Sequence, residues 1–210
     1  MSVPSQRSPR VDYKNIACLI REKCYWKVYP KMKNKYISFR NLSEQDFPLL
    51  LKWLETPHVK TWWDNEVVWT LDKITQKYSS YVNQYKIENG KKKSIFAFII
   101  LLDKQPIGYI QYYDVCDFLT RPTDKAIDFQ KSAAIDFYLG EESVLGQGLG
   151  SVALKQFVQN IVFQKFDTAL VTPDIKNVSA IACYQKAGFM PCLINEEHHE
   201  LWLIAIKHCN

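Results

Sequence analysis

Glycine and proline are scarce in this chain, seven and nine residues in 210, which excludes a collagen-like or low-complexity polymer. Long apolar runs are missing as well. No stretch approaches the roughly 20 residues needed to cross a bilayer as a helix. Residues 1 to 20 carry Arg7, Arg10, Asp12 and Lys14, so they lack the apolar core of a secretory leader. The six cysteines, Cys18, Cys24, Cys116, Cys183, Cys192 and Cys209, show no C-x-x-C spacing and no paired histidines. Neither a zinc site nor a disulfide framework is indicated. These absences lead us to expect a protein of the reducing cytoplasm, with no metal and no membrane association.

What is present argues for one folded core. A hydrophobic content of 47% with 14% aromatics is far from a disordered composition, and 210 residues leave room for one domain and a short appendage. The net charge of +5 comes partly from Lys31, Lys33 and Lys35 and from Lys91, Lys92 and Lys93. We read these as solvated loop lysines, not as a nucleic-acid footprint. Residues 1–34 are polar and basic apart from a patch around Ile16 to Ile20, and form an arm. The domain proper occupies 35–210.

Within it, Tyr36 to Arg40 alternates as a strand, and Ser43 with Asp46 resembles a helix-capping pair. Leu49, Leu50, Trp53 and Leu54 then mark a helix that ends near Thr56-Pro57, and His58 to Asp64 is expected to be loop. Leu71, Ile74, Tyr78, Tyr81, Val82 and Tyr85 share a helical stripe, predicting a helix from Leu71 to about Ile87 closed by Asn89-Gly90. Ser94 to Leu102 and Ile107 to Val115 predict an antiparallel hairpin, with Asp117 to Lys131 as loop. Strands follow at Ala133 to Leu139, Phe166 to Val171 and Leu201 to Ile206. Helices are expected at Leu149 to Phe163 and at Asn177 to Ala187, the second stopped by Gly188. The fold class is therefore α/β or α+β with a mixed sheet.

Chemistry concentrates at Leu145-Gly146-Gln147-Gly148-Leu149-Gly150-Ser151, between a predicted strand and a predicted helix. Glycines there let backbone approach a ligand, and free amides at the helix start form a nest for phosphate oxygens. No Walker Lys-Ser/Thr follows the last glycine, and no βαβ unit precedes the turn, so nucleoside triphosphates and Rossmann dinucleotides are disfavoured.

Downstream lies Asn177-Val178-Ser179-Ala180-Ile181-Ala182-Cys183-Tyr184-Gln185-Lys186-Ala187-Gly188-Phe189. The ordered pair, a G-x-G-x-G turn followed by N-x-x-A-x-x-x-Y-x-K-x-G-F, resembles the GNAT N-acetyltransferases. The resemblance implies a central sheet splayed at an acetyl-CoA site. Phe137, Tyr138 and Leu139 would offer backbone groups to the thioester. Val144, Gly146, Gln147, Gly148, Leu149, Gly150 and Ser151 would cradle the pyrophosphate, with Asn177 and Lys186 beside the pantetheine and phosphate arm. Tyr184 would protonate the departing thiolate. Leu145 stands where the family usually has Arg or Gln.

Three further segments, His58 to Trp63, Pro106 to Gln111 and Ile135 to Glu141, make the chain similar to aminoglycoside 6'-N-acetyltransferases over most of 35–210. That implies a polycationic amine acceptor and acidic groups to pair it. Asp136 would orient or deprotonate the amine. Trp63, Gln111, Asp114, Asp117 and Glu197 would line the acceptor site, with Asp124, Glu196 and Glu200 as weaker members. Thr172-Pro173 departs from the family, which often has Asp before that proline. The alternatives are a siderophore-type acyltransferase acting on N-hydroxylysine, a protein N-terminal acetyltransferase, and a non-enzymatic acyl-CoA-binding or docking module. Cys183 has no residue at triad spacing to activate it, so we expect direct transfer without an acyl-enzyme and assign Cys183 to packing. The expected partner is a small-molecule polyamine or aminoglycoside substrate, with no nucleic acid or membrane, and the chain itself a monomer or homodimer.

Overall fold

The computed structural model describes residues 35–118 and 129–207. The arm at 1–34 and Asp124 lie outside the described residues. Eight strands form one mixed sheet: β1 (Ile37–Asn41), β2 (Tyr85–Glu88), β3 (Lys91–Leu102), β4 (Gln105–Asp114), β5 (Ser132–Leu139), β6 (Thr168–Val171), β7 (Met190–Asn195) and β8 (Glu200–Ile206). Their order is β1-β3-β4-β5-β6-β8-β7, with β2 paired to the start of β3. Every pairing is antiparallel except β5 with β6.

Helices cover both faces. On one side, α5 (Leu149–Asn160) and α6 (Val178–Ala187) bury Leu149, Leu154, Phe157 and Tyr184 against Ile100, Ile110 and Ile135. On the other, α1 (Phe47–Leu54), α2 (Pro57–Lys60) and α3 (Leu71–Val82) bury Trp53, Ile74 and Tyr78 against Ile99, Tyr109 and Tyr138. A sheet covered on both faces explains why β4 is buried from Ile107 to Tyr112 without the polar alternation of a one-sided strand. A last short helix, α4 (Val115–Phe118), follows β4.

The entry to α1 is held by Asp46. Its carboxylate accepts from the backbone N–H and the hydroxyl of Ser43, at 2.9 and 2.8 Å, and from both terminal nitrogens of Arg40, at 2.7 and 2.6 Å. Burial alone would raise the Asp46 pKa. The Arg40 and Ser43 bonds outweigh that and hold it below the usual carboxylate range.

Three expectations need correction. The helix predicted to reach Ile87 ends at Val82, because Gln84 takes a left-handed backbone (φ +60). Tyr85 to Glu88 then forms β2, paired with Lys91 to Ser94. Asn89 and Gly90, both at positive φ, are the two-residue hairpin turn between them and not a helix terminator. Second, His58 does not begin a loop: Thr56 is the extended residue before α2, and Pro57 fills its first turn. Third, Met190–Asn195 forms a strand absent from the sequence reading, at the sheet edge beside β8.

Candidate active site

The site begins where two parallel strands part. β5 and β6 stay in register only at Ser132–Thr168, Ala133–Ala169 and Ala134–Leu170, after which β5 continues to Leu139 without a β6 partner. The Gly140 amide donates to Ile107 of the neighbouring segment. By alternation, the backbone groups of Tyr138 and Asp136 face β4, and those of Leu139 and Phe137 face the gap. The Leu139 carbonyl in that gap accepts from His58 Nε2 at 2.8 Å. The Phe137 amide and carbonyl stay directed into the opening.

Below the gap lies the glycine turn. Gly146 and Gly148 have φ of +71 and +75, and a Cβ on either would meet nothing within 4 Å. Their glycines are therefore required by backbone conformation, in a space left open on the side of a ligand. Gly148 caps α5, and among the described residues the amides from Gly146 to Ser151 donate to no backbone carbonyl. A helix start with free amides is an anion site. Gly150 has a different reason: a Cβ there would lie 3.1 Å from Cys183 Sγ, so this glycine lets α5 and α6 approach.

Two clefts meet above the turn. The larger, about 610 Å³, runs from the glycine turn along β5 to α6 and is lined by Gly146, Gly148, Ser151, Asn177, Tyr184 and Lys186 among others. The smaller, about 400 Å³, lies between α3, β2 and β4. Trp62, Trp63 and Asp136 line both.

At that junction, Gln111 sits opposite Asp136 across β4 and β5. Gln111 Nε2 donates to Asp136 Oδ2 at 2.8 Å and its Oε1 accepts from the Tyr109 hydroxyl at 2.6 Å. Burial raises the Asp136 pKa, opposed by the Gln111 hydrogen bond, the nearby Tyr113 hydroxyl and the Lys77 charge. A carboxylate so held is a stronger base than an exposed one. Tyr184 packs against Phe137, ring centroids 5.8 Å apart, and its hydroxyl makes no hydrogen bond to the described residues. Burial, with the neighbouring Cys183 and Asp136, pushes that hydroxyl well above an ordinary phenol, so it keeps its proton.

Residues 43–193 match the family model described as Acetyltransferase (GNAT) domain. The chain belongs to the GNAT acetyltransferase family. It is 30% identical over 162 residues to an Aminoglycoside N(6')-acetyltransferase type 1 from Klebsiella pneumoniae and equally to one from Serratia marcescens, covering 74% of this chain and 75% of each relative. Among solved structures it resembles AAC(6')-Ib in complex with ribostamycin and coenzyme A, with TM-score 0.68 at 26% identity over 81% of this chain and 93% of that one. The same enzyme with coenzyme A and kanamycin gives TM-score 0.68 at 25% identity, over 82% and 95%.

As a GNAT domain, the chain brings most of the sequence-predicted residues together and leaves some apart. Phe137, Tyr138, Leu139, Val144, Leu149 and Gly150 line the larger cleft with the residues already given. The Val144 amide is spent on Glu141, so Val144 adds no donor to the anion nest. Gln147 lines neither cleft: its Nε2 donates to the Ser143 carbonyl and its Oε1 accepts from Lys35 Nζ, both at 2.6 Å. Asn177 Oδ1 accepts from the Ala180 amide and caps α6. Trp63, Gln111 and Asp136 line the smaller cleft. Asp114, Asp117 and Glu197 line neither. The Asp114 carboxylate accepts the Cys116 amide at 2.8 Å and so starts α4, Asp117 lies within α4, and Glu197 is exposed in the β7–β8 turn.

The sequence reading missed five polar residues that line the smaller cleft: Asp64, Lys77, Lys86, Glu88 and Tyr113. Lys86 and Glu88 ride on β2, so recognising Asn89-Gly90 as a hairpin turn would have brought them into view. It missed His58 in the larger cleft too. Cys183 also lines that cleft, with burial pushing its thiol up to about 11.

Proposed function

We propose that this protein transfers the acetyl group of acetyl-CoA directly to the 6'-amino group of aminoglycoside antibiotics, and so confers resistance to them. The observation that carries the reading is the place of Asp136, a half-buried carboxylate on the wall shared by the cleft suited to acetyl-CoA and the smaller cleft suited to an amine.

The fit to acetyl-CoA rests on the free amides from Gly146 to Ser151 and on the vacant sides of Gly146 and Gly148. These groups would hold the pyrophosphate, with Ser151, Asn177 and Lys186 beside it. Leu145 brings no hydrogen bond, so amides carry more of the phosphate contact than the family's usual side chain would allow. The co-substrate supplies the thioester acetyl and departs as a thiol.

The chain's residues do the rest. The gap-facing amides of Phe137 and Leu139 are the available donors for the thioester oxygen. Asp136, aligned by Gln111, pairs the incoming ammonium and takes its proton, directly or through water, leaving the neutral amine as nucleophile. Tyr184 holds a proton at the cleft surface for the departing sulfur. Two reactants side by side in joined clefts gain much of their rate from proximity, and no acyl-enzyme is needed.

Thiol release, followed with a chromogenic disulfide reagent, tests this. The full chain with acetyl-CoA should turn over kanamycin and tobramycin, yielding product acetylated at the 6'-amine. Turnover confined to an N-hydroxylysine compound or a basic peptide sinks the aminoglycoside reading. Acetyl-CoA binding without turnover of any amine would make the chain a binding module.

A further inference from the structure

Three carboxylates line the smaller cleft, and two of them are already taken. Lys77 Nζ lies 2.7 Å from Asp64 Oδ2. Lys86 Nζ lies 2.6 Å from Glu88 Oε2, an ion pair without hydrogen-bond geometry. Both lysines line the same cleft. Lys86 and Lys93 also lie 5.4 and 5.2 Å from the ring of Phe118, another wall residue. Asp136 is the exception: it has no ion pair and accepts a hydrogen bond from the neutral Gln111 amide.

The Asp64–Lys77 pair is well anchored. Asp64 has φ +48, a left-handed backbone uncommon outside glycine, and its carbonyl accepts from Val67 at 2.9 Å. Lys77 projects from α3 across the rings of Trp69 and Tyr78, at 5.1 and 5.5 Å, so its stem is packed as well as its charge paired.

A polyamine entering this cleft must pair each ammonium it buries. The first goes to Asp136. A second that meets Asp64 finds that carboxylate held by Lys77, which also repels it. We propose that Lys77 tunes how tightly this site holds a polycationic acceptor: by occupying Asp64 it leaves ammonium groups beyond the reacting one without that carboxylate, which raises the KM for aminoglycosides without excluding them. The proposal rests on the amine-acetylating reading above and deepens it. Both partners are about one-third exposed, so the penalty per additional ammonium is modest, about threefold to fivefold in KM.

Lys77→Met keeps the packed stem and removes the charge. The KM for kanamycin and tobramycin should fall about threefold to fivefold, with kcat moving less and the acetyl-CoA KM unaffected. Methyl 6-amino-6-deoxyglucoside, a monoamine probe, should show little change. Adding Asp64→Asn to Lys77→Met should return the kanamycin KM to the wild-type value. Because the Lys77 charge holds the Asp136 pKa down, the acidic limb of kcat/KM should move to higher pH in Lys77→Met. An unchanged kanamycin KM, or an equal gain for the monoamine, overturns the role of Lys77. A wild-type protein that turns over none of these amines overturns the acceptor assignment itself and the proposal with it.

Discussion

The two clefts are built from different material. The larger one is made of backbone: a strand that has lost its neighbour, two glycines in left-handed conformation, and a helix start with free amides. The smaller one is made of side chains that meet from Trp63, Lys77, Lys86, Gln111 and Asp136, positions spread over more than seventy residues of sequence. A backbone site needs particular residue types at fixed spacing, because only glycine tolerates those dihedrals cheaply. A side-chain site needs only that distant segments converge. The first therefore leaves a motif in the sequence and the second does not, and the second is free to change its acceptor while the first stays fixed.

The sharpest way to separate them is at the residue they share. Asp136→Asn should lower turnover about 10²–10⁴-fold, with acetyl-CoA affinity preserved, as judged by steady-state kinetics and equilibrium binding. It should also leave the fold more stable, or no less so. Burial raises the Asp136 pKa, so between its unfolded and folded values the native chain binds more protons, and stability falls as pH rises through that window. The neutral Asn avoids the loss, and thermal melts at neutral pH should report it. The wild-type rate should fall as pH drops through the raised pKa. A mutant that melts earlier and keeps its turnover would show Asp136 to be structural.

Tyr184→Phe should come next, with kcat reduced about tenfold to a hundredfold and an unchanged KM for acetyl-CoA. The ring packing on Phe137 and Phe189 survives the change. A loss in KM alone would make Tyr184 a wall of the cleft and not a proton donor. Smaller still, Gly148→Val places a β-branched residue at φ +75, which costs about 1–2 kcal/mol and should appear as an acetyl-CoA KM raised about tenfold with the amine KM unaltered.

The same contrast explains what was legible beforehand. The turn at Gly146 to Gly150 and the Gly188 stop were readable because each is a local dihedral requirement, and the turn together with the Asn177 to Phe189 motif carried the GNAT resemblance; the Asn177 cap on α6 was not read. Asp136 was readable because it stands on the strand leading to the turn, where the resemblance places an Asp at the reacting amine. Lys77 and Lys86 were not, since a lysine on an exposed-looking helix or turn carries no sign of the cavity it faces. Tyr85 misled for a related reason: its spacing continues the α3 stripe, and only the left-handed Gln84 breaks it. Asp114 was chosen from where the family places acidic residues and Glu197 to compensate for Thr172-Pro173, and an acidic side chain is equally useful for capping α4 or for solvating a turn.

The smallest expected effect tests whether the larger cleft is backbone chemistry at all. Cys183 lines it beside Tyr184 and touches Gly150, as an acyl-accepting thiol would have to. Yet burial pushes that thiol up to about 11, so at neutral pH only about one molecule in ten thousand carries the reactive thiolate. Cys183→Ala should therefore change kcat less than about twofold and cost about 1 kcal/mol of stability from the small space left against Gly150. Initial-rate plots at varied acetyl-CoA and amine should give intersecting lines in both proteins. Parallel lines in the wild type, together with lost turnover in Cys183→Ala, would mean a covalent side-chain step in the cleft that otherwise works through amides and position, and the division between the two clefts would fail.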